Sequence, residues 1–416
     1  MLPQATADMF DGRHCRVCLL IAPRTAAQTT GARSSRVGYT LTTHILSSLV
    51  VPSVTFVPIS LTSSPSWHRA EPAVGVRSGA LPDFGGDRLV DSFGRAIEDL
   101  RISITDRCNF RCTYCMPEEG MTWLASERLL SFEEIGRLSR IAVALGIREL
   151  RLTGGEPTLR PGLPDLVRDL AQIDGTSSLS LTTNGFLLKK LAGPLAEAGL
   201  TRINVSLDTL QHDKFHWITR RKGLDQVLEG LAELEKYPSI RPIKVNAVGM
   251  RHFTEDEIVD FAKWARKTGY VVRWIEFMPL DADGNWERDR VLSGAEIKAI
   301  IERDFMPLVP VHAEASSTSQ RFRFADGVGE IGFISPVSEP FCATCNRIRL
   351  TADGQLRTCL FSIDEWDLRE PLRSGATDRE IADIFLAAVA HKEKKHQINE
   401  GDQFQRASRS MSQIGG

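Results

Sequence analysis

Between Cys115 and Cys342 this chain has no cysteine, and ahead of Cys108 it has only Cys15 and Cys18. Eight cysteines so unevenly placed do not read as a disulfide framework; in a long chain, clusters of this kind point to metal binding in a reducing compartment. Long apolar runs are also missing. The most apolar stretch, Ile45 to Leu61, is broken by Pro52 and Pro58 and studded with Ser and Thr. It falls short of the roughly 20 apolar residues that a membrane span needs. Neither sign of charge is in excess: the net value of −2 argues against whole-surface binding to nucleic acid or membrane. Lysine is absent from the first eighty residues, which carry seven Arg, three acids and nineteen Ser or Thr. An Arg- and Ser-rich, acid-poor leader has the composition of an organellar transit peptide. A disordered extension, or a start codon read too far upstream, accounts for it equally well. The Cys15–Cys18 pair there has no partners and reads as incidental.

The 416 residues suffice for two domains and a full-sized core. From about residue 100 the pattern becomes regular. Arg101–Thr105, Glu149–Thr153, Ser178–Thr183, Thr201–Leu207, Ile243–Val248 and Val271–Phe277 read as strands. Between them, residues 132–144, 163–172, 188–198, 226–234 and 255–267 show helical spacing, the first opened by the capping box Ser131-Phe-Glu-Glu134. Strict alternation predicts a parallel sheet with outer helices, either an open sheet or an incomplete barrel. Both place chemistry beyond the carboxyl ends of the strands.

The residues that follow each strand there are distinctive. They are the triad Cys108, Cys112 and Cys115, then Gly154-Gly-Glu-Pro157 and Thr182-Thr-Asn-Gly185, then Ser206 with Asp208, Lys244 with Asn246, and Glu276 with Met278. Ordinary loop polarity explains the Asp and Asn. It does not explain three Cys in eight residues or two Gly followed by Glu-Pro. After Asp281-Ala-Asp-Gly284 come a helix (294–302), β-rich runs near 321–324, 330–334, 347–351 and 355–360, and a helix over 377–390. This predicts a small β-rich C-terminal layer carrying the second triad, Cys342, Cys345 and Cys359. The expected divisions are a leader (1–85), a barrel (86–290), an auxiliary cluster region (291–372) and a terminal helix with its tail (373–416).

Each triad offers three thiolates, one fewer than the four that close a tetrahedral zinc site or an ordinary four-iron cluster. On a four-iron cluster, three ligands leave one iron open to bind something that reacts. Zinc would want a fourth ligand nearby, but the nearest His candidates are His68 in the leader and His212.

Cys108-Asn-Phe-Arg-Cys112-Thr-Tyr-Cys115 resembles the signature of the radical S-adenosylmethionine (SAM) enzymes. With the second triad, Asn346-Arg-Ile-Arg349 and a terminal Gly-Gly, the resemblance narrows to the GTP 3′,8-cyclase family of molybdenum cofactor biosynthesis, from about residue 85 onward. It implies a partial (β/α)6 TIM-type barrel with the C-terminal cluster-binding layer, and two [4Fe–4S] clusters on the triads. SAM is implied as co-substrate, cleaved to a radical that takes hydrogen from the ribose C3′ of GTP. The product implied is (8S)-3′,8-cyclo-7,8-dihydroguanosine 5′-triphosphate.

By the same resemblance Tyr114, Gly155, Ser206 and Met278 contact SAM, with Glu156 accepting from its amino group and the glycines allowing close approach. Arg101, Arg151, Thr182, Lys244, Arg347, Ile348 and Arg349 contact GTP. Arg273 and the flexible tail Gly415-Gly416 belong to the catalytic set. Planar guanidinium groups suit phosphate, and residues two apart on a strand, such as Arg347 and Arg349, share a face. One departure stands out: Glu149 occupies a place where relatives carry a basic residue, which puts one phosphate contact in question. The resemblance also implies a downstream cyclic pyranopterin monophosphate synthase, an electron donor, room for a homodimer, and no nucleic-acid or membrane partner. The location implied is the cytoplasm, or the mitochondrial matrix in a eukaryote. Two other readings fit the residues: a radical SAM enzyme acting on another substrate such as a peptide, and a zinc-stabilised binding module.

Overall fold

A computed structural model describes residues 80–415 apart from 313, 402, 403 and 408, so the leader with its Cys15–Cys18 pair, and Gly416, lie outside the described residues. Six strands pair in parallel in chain order: β1 (Asp99–Ser103), β2 (Glu149–Thr153), β3 (Ser178–Thr183), β4 (Arg202–Ser206), β5 (Ile243–Gly249) and β6 (Val271–Glu276). The connections are helical: α1 (Phe132–Ala144), α2 (Leu163–Ala171), α3 (Leu188–Glu197), α4 (His212–Thr219), α5 (Leu224–Leu234) and α6 (Ile258–Thr268). The α1 start is the expected capping box, with Ser131 Oγ accepting from the Glu134 amide and Glu134 Oε2 from the Ser131 amide. The short α4 was not foreseen. In eight residues it has too few apolar positions to show a helical period, and Phe215 and Ile218 are its buried hydrophobes.

Alternation along the strands sorts two chemistries. Leu100, Ile102, Leu150, Leu152, Leu179, Leu181, Ile203 and Val205 are fully buried and join the helices in one hydrophobic core. The intervening residues Arg101, Arg151, Ser180, Thr182, Asn204, Lys244, Asn246 and Arg273 share the opposite, inner face. Parallel strands buried on both faces are usually apolar on both. Here the inner face is polar and cationic.

The chain continues through α7 (Gly294–Asp304), β7 (Leu308–Val311), β8 (Gln320–Phe324), β9 (Glu330–Ile334), β10 (Arg347–Leu350), β11 (Gln355–Arg357), β12 (Trp366–Asp367), α8 (Arg369–Arg373), α9 (Asp378–Ala390) and α10 (Met411–Ile414). Its β-rich C-terminal region is hydrogen-bonded into the barrel sheet itself, at both edges. The order is β12-β11-β10-β1-β2-β3-β4-β5-β6-β9-β8-β7, with β10 parallel to β1 and β9 parallel to β6. Six parallel strands leave two open edges with unpaired backbone groups, and these additions satisfy both. The sheet stays open, and Arg347 Nη1 of β10 reaches across to the Ser316 carbonyl of the β7–β8 connection at 2.9 Å. Among the described residues no helix is long and apolar enough to cross a membrane.

Candidate active site

The first triad lies on the loop after β1. Cys108, Cys112 and Cys115 are half-buried free thiols, and the Cys115 and Met116 amides both donate to the Cys112 carbonyl, winding the C-x2-C segment tightly. Gly154 and Gly155 support this loop from the end of β2. The Gly155 amide donates to Thr105 O and the Glu156 amide to Arg107 O, each at 2.8 Å. A Cβ on Gly154 would stand 2.2 Å from Thr105 O, and one on Gly155 2.4 Å from Arg107 O. Both glycines are therefore demanded by the close approach of two protein backbones.

Glu156 is likewise engaged by the protein: its carboxylate accepts from the Thr158 amide and hydroxyl, Thr183 Oγ1 and the Asn184 amide. It ties the β2 and β3 loops together, which leaves little capacity for the amino group it was expected to bind. Tyr114 Oη donates to Asp208 Oδ2 at 2.8 Å, and the Val248 amide donates to Asp208 Oδ1. Burial pushes the Cys108 thiol up to about 11, with Glu156 adding to the shift, and the Cys115 thiol up to about 12. Burial, then Asp208, raises Cys112 as well, and burial lifts Asp208 itself to about 6.

The second triad sits at the other end of the same strand pair. Cys342 and Cys345 form a turn just ahead of β10, and Cys359 follows β11. Since β1 and β10 are parallel, with Asp99 opposite Arg347, the triads are separated by about the length of β1, roughly 15 Å. Cations hold this end. Arg95 donates to the carbonyls of Cys342, Glu393 and Lys394, and buried Lys392 to those of Arg347 and Thr358. Burial raises Cys342 and Cys359. Burial also opposes ionisation of Cys345, but Arg347, Lys392 and Arg95 outweigh it and hold that thiol below its usual range. Among the described residues no three His, Cys, Asp or Glu side chains converge as a site for a single metal ion.

Between the triads the inner face carries a lateral row of arginines, Arg349 of β10, Arg101 of β1 and Arg151 of β2, in direct register. Like charges opposite one another across strands are destabilising. Burial, then Arg151 and Arg349, pushes Arg101 well below its usual range. The Nε atoms of Arg101 and Arg151 are buried without a hydrogen-bond partner, and Arg101 has Asp99 3.8 Å away. Adjoining rows add Thr182–Asn204–Lys244 and Ser206–Asn246–Arg273. Arg273 is oriented by Asn204 Oδ1 at 2.7 Å and Asn246 Oδ1 at 3.0 Å. Burial, then Arg273 and Arg151, lowers Lys244 to about 7. Ile348 differs from its neighbours: its side chain is fully buried in the hydrophobic core, on the face opposite Arg347 and Arg349. Glu149 pairs with Arg202 Nη1 at 3.3 Å and is half-exposed, so its charge is met by a strand two places away.

The tail enters from the first-triad side. Ser412 lies beside Cys115, where its backbone favours the ionised thiol, and Arg349 donates to the carbonyls of Ile414 and Gly415. Gly415 has φ +73°, and the space for its Cβ is filled by Thr153 Cγ2 and Ser103 Oγ. Met278 packs beside Tyr114 in a small apolar cluster at the same mouth.

Comparison with known proteins adds the family. The Radical SAM superfamily matches residues 102–265, and Molybdenum Cofactor Synthesis C matches residues 270–398. A GTP 3′,8-cyclase of Streptomyces coelicolor is 46% identical over 80% of this chain and 97% of its own length. One of Thermodesulfovibrio yellowstonii is 46% identical over 79% of this chain and all of its own. The chain belongs to the GTP 3′,8-cyclase family. Molybdenum cofactor biosynthesis protein 1 of Homo sapiens is 44% identical over 74% of this chain and 48% of that protein. The radical SAM family uses SAM and a [4Fe–4S] cluster, and the three-thiol loop after β1 has the donor set for it.

In this GTP 3′,8-cyclase family member, sequence reasoning missed Arg95 and Lys392. Lys392 sits in the basic run Lys392-Glu-Lys-Lys395, where no local signal separates it from solvated neighbours. Asn204 was also missed, although strand alternation from Ser206 could have found it.

Proposed function

We propose that this chain cyclises GTP to (8S)-3′,8-cyclo-7,8-dihydroguanosine 5′-triphosphate, the first step of molybdenum cofactor biosynthesis, in the space between its two triads. The observation that carries the reading is the buried row Arg349–Arg101–Arg151, three adjacent cations on strands whose two ends lead to the two three-thiol sets. A bound anion would relieve the repulsion in such a row, and a triphosphate is one that guanidinium groups hold well.

When bound, the cluster and SAM supply one-electron cleavage of the sulfonium and a hydrogen-abstracting 5′-deoxyadenosyl radical. Cys108, Cys112 and Cys115 would hold that cluster, and Tyr114, Gly155, Ser206 and Met278 would line the SAM position. Buried Glu156 and Asp208 make this end electronegative, which complements a sulfonium cation. Cys342, Cys345 and Cys359 would hold a second [4Fe–4S] cluster, which would supply a binding position for the guanine. Arg101, Arg151, Lys244, Arg347 and Arg349 grip the phosphates, with Thr182 on the adjoining row; Ile348 contributes through its backbone alone. Arg273, fixed by two Asn side chains, acts at the reacting nucleoside. Gly415 helps close the mouth against water, and Gly416, outside the described residues, is assigned to the catalytic set with it. The protein's share is orientation, charge and exclusion of solvent.

With this reading go an electron donor, a downstream cyclic pyranopterin monophosphate synthase, a homodimer, and a cytoplasmic place, or the mitochondrial matrix in a eukaryote. Anaerobic reconstitution with iron and sulfide, then dithionite, SAM and GTP, tests it. The expected outcome is about eight iron per chain and the 3′,8-cyclised nucleotide. Iron loading without any new guanine-derived product would refute it.

A further inference from the structure

The tail can lie against the first triad only if its root is held. Helix α10 has four residues, too few to stand alone in water. One residue before Ser410, a single guanidinium grips two carboxylates. Arg409 Nε and Nη2 meet Glu365 at 2.6 and 2.8 Å, while Nη1 and Nη2 meet Asp353 at 2.9 and 3.1 Å. The Arg409 side chain is 17% exposed and that of Asp353 2%. Two-point contacts in partly buried surroundings are much stronger than an exposed ion pair.

Both carboxylates are fixed in turn. Asp353 stands in the β10–β11 turn and accepts from Thr351 Oγ1 at 2.7 Å. Glu365 accepts from fully buried Arg357, which also donates to the Ser362 carbonyl. Residues 357 to 365 form the segment that carries Cys359. Three residues beyond Arg409, Ser412 lies beside Cys115 and its Oγ donates to the Met121 sulfur at 3.8 Å, and the Gly415 carbonyl accepts from Arg349. The clamp therefore stands between the Cys359 segment and the tail at Cys115.

We infer that Arg409 is a positioning residue, whose double ion pair with Asp353 and Glu365 sets where residues 410–415 enter the barrel mouth. It acts on turnover through the tail and touches neither nucleotide nor cluster. The inference rests on the GTP-cyclisation reading for its kinetic consequence, but not for its structural one.

The test uses the full chain reconstituted anaerobically, as wild type, Arg409→Ala, Arg409→Lys and Asp353→Asn. Misplacing a reacting group by about an ångström costs up to about a hundredfold. Arg409→Ala is therefore expected to lower kcat for GTP cyclisation about tenfold to a hundredfold, with iron content and KM for SAM unchanged. Amide hydrogen exchange should lose protection over residues 411–414 in that variant. Arg409→Lys should recover part of both, since it keeps the charge without the fork. Asp353→Asn should repeat the exchange result with the guanidinium in place. In a Gly415→Ala background, adding Arg409→Ala should cost less than about twofold more, because both act on one element.

Wild-type turnover in Arg409→Ala, unchanged tail protection in it, or losses at 409 and 415 that simply multiply would each overturn the inference. A wild-type chain that takes up both clusters but makes no cyclised GTP would sink the functional reading instead. The exchange measurement would then still judge the clamp.

Discussion

The first triad follows the carboxyl end of β1 and lies beside buried Glu156 and Asp208, whereas the second, with Cys342 and Cys345 ahead of β10 and Cys359 after β11, lies among Arg95, Arg347, Arg349 and Lys392. The donor sets are the same, three cysteines each, and burial raises every thiol of the first triad and two of the second, Cys342 and Cys359; Cys345 alone goes the other way. Burial pushes Cys115 up to about 12, while nearby cations hold Cys345 below its usual value. The difference shows that surroundings, and not ligand count, distinguish the two sites. An electronegative pocket suits a sulfonium, and a cationic one suits thiolates and phosphate together.

The sharpest way to break this comparison is to disable one triad at a time. Cys115→Ser is expected to abolish SAM cleavage, by at least about a thousandfold, and to leave about four iron per chain. Cys345→Ser should leave a similar iron content but spare 5′-deoxyadenosine formation while stopping GTP cyclisation. Equal loss of SAM cleavage in both variants would show the sites to be interchangeable.

Next in size is Gly154→Ala. The added Cβ would collide with Thr105 O at a residue of φ +134°, straining the first loop by about 3 kcal/mol or more. Iron content after reconstitution should fall by about half, from the first triad alone. Full loading would mean that the loop yields.

Arg151→Met sharpens the electrostatic side. Removing one of three adjacent buried cations should weaken GTP binding about tenfold to a hundredfold without lowering Tm, because repulsion is relieved. A clear drop in Tm would show the row to be neutralised within the protein.

A smaller effect is expected from pH. Lys244 titrates near 7 in the free protein, well below an unfolded lysine at about 10.4. Between those values the unfolded chain binds more protons, so this group makes the fold more stable as pH rises. Nucleotide affinity runs the other way, since phosphate favours the charged amine. GTP binding should weaken from pH 7 to 9, and Lys244→Met should flatten the profile in a direct titration. The smallest change is expected from Glu149→Gln, at most a few-fold in KM for GTP, because the pair with Arg202 is half-exposed.

The βα alternation was legible because amphipathic periods are local. β2, β3 and α1 fall where apolar spacing and the Ser131 cap place them. The cysteine spacings were legible too, as a ligand set within eight residues needs no tertiary information. Gly154 and Gly155 were legible as glycines that allow close approach, but not the protein backbone that crowds them, about fifty residues away. The protein partners of Glu156 were not legible for the same reason: Thr183 and Asn184 come from another loop.

By itself the chain of residues determined the kinds of chemistry available: three-thiol ligand sets, strand-borne arginines and six βα periods, all carried by short-range patterns. Only the tertiary structure decided that β10 lies against β1. That single pairing sets the triads at opposite ends of one strand pair, aligns Arg349 with Arg101 and Arg151, and brings Arg409 to Asp353 and Glu365. Which edges pair across more than two hundred intervening residues depends on the burial and backbone hydrogen bonding of the whole sheet, and no local period encodes it.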